Sequence, residues 1–127
     1  PKATDIIFAG LGVNSLQAVN WPGSHAAVTA SVQSAIDKAQ AANPGAHIWL
    51  SLMPPATQTS PTPELPQRVV DQNADYAANI TGADIVDCYS GFSTMWLQTD
   101  GVHTTPFGQT WQGHCIAAPI VAAWSVP

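Results

Sequence analysis

The sequence predicts an α/β fold in which parallel strands alternate with helices. Continuous apolar runs at residues 5–11, 46–53 and 83–88 predict three strands, and such runs are typical of a parallel sheet covered on both faces. Helical periodicity follows each run, so the order is strand–helix repeated three times. This order predicts βαβ units with right-handed crossovers, and 127 residues accommodate one domain.

Turn residues bound the predicted strands. The first strand ends in a glycine-containing turn, the second ends at Pro54-Pro55, and the third is shorter and weaker. Residues 54–66 contain five prolines and follow a strand, which predicts a loop at the rim of the sheet.

Three helices are predicted, at about residues 25–42, 64–80 and 107–124. The first ends before Asn43-Pro44-Gly45, a strong terminator. Right-handed crossovers put the first two helices on one face of the sheet and leave the third alone on the other. We therefore expect an incomplete sandwich, with one or two strands and a helix supplied from upstream of Pro1 or by another chain.

Composition and charge exclude several classes of function. Charged residues make up 9% of the chain and the net charge is −5, so nucleic acid is not expected as a partner. No apolar run reaches the roughly 18 residues of a membrane span, so no membrane partner is expected. Two cysteines among few charges are typical of a secreted protein, which predicts a Cys88–Cys115 disulfide, with two buried free thiols as the alternative.

Two segments at predicted strand ends carry groups suited to catalysis. Asn14 follows the first strand in a glycine-containing turn, where its amide can stabilise an oxyanion or, alternatively, cap the turn. Asp100 precedes His103 by three residues, so the carboxylate can hold one imidazole nitrogen while the other takes a proton. This spacing is common by chance, but its position before the last helix places it at the open end of the sheet.

Together these segments resemble the SGNH (GDSL-type) hydrolase family of esterases and lipases. DIIFAGLGVN and DGVHTTPFG are similar to that family's Gly-x-Asn-Asp and Asp-x-x-His segments, with about 85 residues between them. The resemblance implies a flavodoxin-like three-layer α/β/α sandwich with a parallel sheet, represented here by its last three strands and helices. It implies Asn14 as an oxyanion-hole donor, His103 as the general base and Asp100 as the carboxylate that orients it, with no cofactor.

Two departures from the family pattern affect this interpretation. Ser15 stands where the family usually has Asp, and the chain contains no Gly-Asp-Ser segment to carry the nucleophile. We therefore expect residues 1–127 to be the C-terminal portion of a longer hydrolase domain. The serine would come from an N-terminal segment of the same protein or from a second chain; the alternative is a pseudoenzyme that only binds.

The expected substrate is an ester of a neutral carbohydrate. The resemblance is closest to small secreted carbohydrate esterases, such as acetylxylan esterases, that remove acetyl groups from plant polysaccharides. Gly12, Trp21 and Trp96 are expected to contact the substrate, and the alternative function is a non-catalytic carbohydrate-binding module that uses the loop tryptophans. No metal site is expected, because the remaining histidines lack ligands at metal-binding spacing: these are His25, His47 and His114.

Overall fold

A computed structural model describes residues 5–124, so Pro1 and the expected connection before it lie outside the described residues. One parallel sheet forms the centre of the molecule. Its strands, in spatial and chain order, are β1 (Asp5–Ala9), β2 (His47–Ser51) and β3 (Asp84–Val86). All three carboxyl ends therefore lie at the same edge of the sheet.

Within residues 5–124, four α-helices and a short 3₁₀ turn surround the sheet. They are α1 (Val13–Leu16), α2 (His25–Ala42), α3 (Leu65–Asn79), the 3₁₀ turn (Thr94–Trp96) and α4 (Pro106–Trp124). The three long helices match the predicted bounds to within one residue. Each strand is shorter than predicted, and α1 was not predicted. The first strand ends early because Gly10 and Gly12 adopt positive φ angles of 56° and 115°, which turn the chain directly into α1.

The two faces of the sheet are covered unequally, as the crossover argument predicts. Ile48 and Leu50 of β2 are buried in the core formed with α2 and α3. Trp49 points to the opposite face, where it packs in a smaller cluster with Ile116 of α4. The predicted α/β layering is thus confirmed, with two of the three long helices on one face and the third on the other.

In the described segment, β1 lies at one edge of the sheet and is less buried than the central strand. Ile7, which is paired with Trp49, is 47% exposed. Ile6 and Phe8 alternate with it and pack, partly buried, against the larger core. On the side of the sheet that α4 covers, the region next to β1 therefore exposes apolar surface to solvent.

Two tertiary links attach α4 to the sheet. The predicted disulfide is confirmed: Cys88, just after β3, is bonded to Cys115 of α4. At the other end of the helix, the Asp5 carboxylate accepts hydrogen bonds from the indole nitrogens of Trp49 (2.9 Å) and Trp124 (2.7 Å). No helix between residues 5 and 124 is both long and apolar enough to cross a bilayer.

Candidate active site

The loop before α4 holds an imidazole against a carboxylate. The Nδ1 atom of His103 lies 2.6 Å from Oδ2 of Asp100. Oδ1 of Asp100 accepts the backbone N–H groups of Val102 (2.9 Å) and His103 (3.0 Å). The hydrogen bond from the Val102 backbone, followed by those from the side chain and backbone of His103, lowers the pKa of Asp100 to about 2.

This geometry determines the tautomer and orientation of the imidazole. An ionised carboxylate can only accept, so Nδ1 of His103 carries the hydrogen that faces Asp100. Nε2 is left as the nitrogen able to take a proton, and the His103 side chain is 71% exposed. The pair therefore has the arrangement of a general base with its orienting group.

His103 borders a cavity of about 430 Å³ at the carboxyl end of β1. Gly10 and Val13 of the turn after β1 line the same cavity, so the structure brings the two predicted segments to one place. The other walls come from the loop after β2 and from α4: Pro54, Pro55, Ala56, Gln109, Gln112, Gly113 and Ile116. An open cavity beside an oriented base can hold the reacting part of a small substrate.

Asn14 lies in α1, next to Val13, and its side chain is exposed. Its backbone carbonyl accepts a hydrogen bond from the Asn20 side chain (3.1 Å). Within residues 5–124 its own carboxamide makes no hydrogen bond, so the amide is available as a donor. Asn14 is a neighbour of the cavity wall rather than one of its lining residues.

Gly12 shapes the turn that carries Asn14 and does not line the cavity. A Cβ atom at this position would collide with the hydroxyl of Tyr76. That buried hydroxyl donates to the carbonyl of Leu11 (3.1 Å), and burial, with the charge of Asp75 as a smaller cause, raises the pKa of Tyr76. Tyr76 therefore stays protonated, and its hydrogen bond to Leu11 stabilises the turn after β1.

The two tryptophans expected to contact substrate also lie away from the cavity. Trp21 packs edge-on against His25, and the Arg68 guanidinium lies 4.5 Å above its ring. Trp96 belongs instead to a cluster of four aromatic rings near the start of α4: Phe92, Trp96, Phe107 and Trp111.

Sequence reasoning missed several cavity residues because distant segments supply them. The sequence predicts only a rim loop at Pro54 and Pro55, and the prediction for α4 does not include its polar face. One signal was present: residues 109, 112, 113 and 116 have the i, i+3, i+4, i+7 spacing of one helical face, and the first two are glutamines.

A second histidine–aspartate pair lies at the opposite end of the sheet. Nε2 of His47 is 2.6 Å from the Asp84 carboxylate, and the His47 ring stacks on Trp49 at 4.3 Å. His47 begins β2, so this pair is separated from the His103 cavity by the length of the strands. No cluster of three or more potential metal ligands occurs in the part of the chain that the structure describes.

No protein-family model and no curated protein matches this sequence. Among solved structures, the chain is similar to a carbohydrate esterase family 3 protein from Talaromyces cellulolyticus, with a TM-score of 0.75 and 18% identity over 94% of this chain and 57% of that one. It is also similar to a proposed acylhydrolase from Bacteroides fragilis, with a TM-score of 0.73 and 20% identity over 92% of this chain and 62% of that one.

These similarities define the class of fold. Over most of its length the chain has the α/β fold of the SGNH-type hydrolases, as the resemblance of its two motifs implies. The chain spans less than two thirds of either neighbour, 57% and 62%.

Proposed function

We propose that this chain contributes the acid–base half of a serine-dependent carboxylic-ester hydrolase. The observation that carries the proposal is His103, whose Nδ1 is held 2.6 Å from Asp100 while its ring borders the cavity at the end of β1. The fold shared with a carbohydrate esterase and a proposed acylhydrolase supports the same chemistry.

The proposed reaction is acyl transfer in two steps. Nε2 of His103 takes the proton of a serine hydroxyl as its oxygen attacks the ester carbonyl, and the Asn14 amide donates to the resulting oxyanion. The imidazolium then returns the proton to the departing alcohol, leaving an acyl-serine. Water, deprotonated by His103, attacks this second ester, and the imidazolium returns the proton to the serine oxygen as the acid is released. Asp100 keeps the ring oriented throughout.

The serine is proposed to come from polypeptide outside the described residues, either an N-terminal segment of the same protein or a second chain. The residues that line the cavity include no serine or cysteine. The cavity opens beside β1, whose far edge has no paired strand within residues 5–124 and whose Ile7 is 47% exposed. A parallel strand added at that edge would bring its own carboxyl end to the cavity.

The proposed substrate is an acetylated plant polysaccharide, acted on outside the cell. The low charge of the chain suits a neutral sugar, and one structural neighbour is a carbohydrate esterase. A disulfide in the chain is compatible with an oxidising, extracellular environment.

The proposal is tested by measuring the release of acetate from acetylated xylan. The assay uses the protein that carries both this chain and its serine. We expect His103→Ala to lower kcat by about 10²–10⁴-fold, the range of a general base. His47→Ala is the matched control, because it removes an aspartate-paired histidine at the opposite end of the sheet, and it should leave kcat unchanged. If acetate release survives the His103 change, or falls equally in both variants, the proposed mechanism is wrong.

A polysaccharide pull-down beside the acetate assay distinguishes the alternative function from the esterase. A carbohydrate-binding module would retain polysaccharide in a pull-down and release no acetate, and neither histidine would alter its binding.

A further inference from the structure

An aromatic surface lies near the beginning of α4. Phe107 in the first turn of α4 is 63% exposed, and its ring lies 5.2 Å from that of the half-buried Trp96. Met95, which precedes Trp96 in the 3₁₀ turn, is 87% exposed. Large exposed apolar side chains grouped in this way indicate a contact surface rather than a part of the core. We define Met95, Trp96 and Phe107 as the aromatic patch.

The patch is separate from the catalytic cavity. Phe107 and the cavity residue Gln109 are two positions apart on α4, so their side chains point about 160° apart around the helix axis. Phe107 therefore lies on the side of α4 away from the cavity, and neither Met95 nor Trp96 lines the cavity. A ligand held there would leave the space beside His103 free.

Within the patch, the Trp96 ring is held in place. The Trp96 ring packs against buried Phe92 and against Trp111, with centroids 5.3 and 5.6 Å away. The Trp96 carbonyl accepts hydrogen bonds from both the backbone N–H (2.8 Å) and the hydroxyl (2.9 Å) of Thr105. The segment that bears Trp96 is thereby joined to the loop that bears His103, so little ordering would be needed on binding.

The residues next to the patch in the sequence indicate which kind of ligand it can bind. Residues 91–98 and 106–111 contain no Asp, Glu, Lys or Arg, and they contribute hydroxyl and amide groups from Thr94, Gln98 and Thr110. A charged peptide or a phosphate would find no counter-charge in these segments. Flat apolar rings bordered by neutral hydrogen-bonding groups match a sugar, which has apolar C–H faces and hydroxyl edges.

From these observations we propose that the aromatic patch binds a neutral polysaccharide chain at a place distinct from the catalytic cavity. The proposal assumes the same class of ligand as the proposed esterase function but uses none of its catalytic groups. It assigns to Trp96 a binding role remote from the reacting ester.

This proposal is tested by measuring the binding of neutral xylohexaose to the protein that contains these 127 residues. Calorimetry and tryptophan fluorescence report the binding. We expect Phe107→Ala to raise the Kd for xylohexaose about two- to tenfold, the range of one aromatic contact. Trp96→Phe should reduce the fluorescence change that accompanies binding. Val19→Ala is the matched control, because Val19 is 85% exposed outside the patch. It should leave the Kd unchanged.

Three results would overturn the proposal: absence of binding at millimolar sugar, binding that Phe107→Ala does not weaken, or a dimer in solution that Phe107→Asp dissociates. The last result would make the patch an interface between copies of the chain. Acetate release measures the esterase proposal and the effect of Phe107→Ala on the xylohexaose Kd measures this one, so failure of the two proposals gives different results.

Discussion

The backbone N–H of Thr57 donates a 2.8 Å hydrogen bond to the carbonyl of Gly101, joining the loop after β2 to the turn between Asp100 and His103. The N–H of Gln58 approaches the same oxygen at 3.3 Å. Gly101 adopts a φ of +71°, and a Cβ atom there would lie 2.6 Å from the Gln58 nitrogen. The close approach of two loops thus depends on a glycine inside the Asp-x-x-His segment.

We predict that Gly101→Ala disorders the Asp100–His103 pair. The methyl group would separate the loops and weaken the hydrogen bonds that Asp100 accepts, so the pKa of Asp100 should rise from about 2 towards 3.8. Carboxyl ¹³C NMR titration measures this pKa directly. Gly45→Ala is the control, because no atom lies within 4 Å of a Cβ at that position. An unchanged pKa in Gly101→Ala would contradict the role given to this turn.

We predict that the stabilising effect of Asp100 disappears in acid. Its folded-state pKa of about 2 lies below the usual 3.8, so the ionised form stabilises the fold above pH 3.8, and this contribution is lost as the pH falls through about 2. The unfolding free energies of the parent protein and of Asp100→Asn should therefore differ most near pH 6 and converge near pH 2. Urea denaturation at both pH values measures the difference, and a gap independent of pH would contradict the assignment.

We predict that Gly12 and Tyr76 are energetically coupled. Gly12→Ala should destabilise the protein by about 2–4 kcal/mol, because the alanine must adopt a positive φ and its Cβ meets the Tyr76 hydroxyl. Tyr76→Phe alone should cost about 1 kcal/mol, the worth of its hydrogen bond to Leu11.

In the double variant, removal of the hydroxyl makes room for the new methyl group. The combined loss should therefore be smaller than the sum of the single losses by about 1 kcal/mol, as measured in a double-mutant cycle by urea unfolding. Gly113→Ala serves as a control, since a Cβ atom there meets nothing within 4 Å. Strict additivity would show that the two positions do not touch.

The disulfide provides a fourth prediction. Cys88 and Cys115 are 27 positions apart, so replacing both with alanine should lower the unfolding free energy by about 3–4 kcal/mol in the chain-entropy model. Guanidinium denaturation of the double variant measures this change. The parent protein under reducing conditions should unfold at a similar denaturant concentration. A loss below about 1 kcal/mol would mean that the unfolded chain is already compact in this region.

Local signals predict most of the fold and the contact between Asp100 and His103. The apolar run of β2 and the Asn43-Pro44-Gly45 terminator of α2 determine structure through nearby residues. Both elements can therefore be predicted from the sequence. Asp100 and His103 lie on one loop, and their contact follows from a three-residue spacing.

The remaining features depend on packing between distant segments. The loop position of Trp21 predicts a substrate contact, but Arg68, 47 positions away, lies over its ring. The hydrogen bond from Thr57 to Gly101 has no sequence pattern, because it joins backbone groups of two separate loops. Side-chain identity at one position carries no information about such partners.

The contact between Asp5 and Trp124 has a mechanical consequence. These residues lie 119 positions apart, so a pulling force applied at the two ends of the described segment would load this hydrogen bond first. Once it ruptures, α4 can peel from the sheet only as far as Cys115, where the disulfide takes the load. That first event would release at most about 30 Å of contour length from nine residues. A single-molecule extension trace should therefore begin with one short, weak step that reduction of the disulfide lengthens.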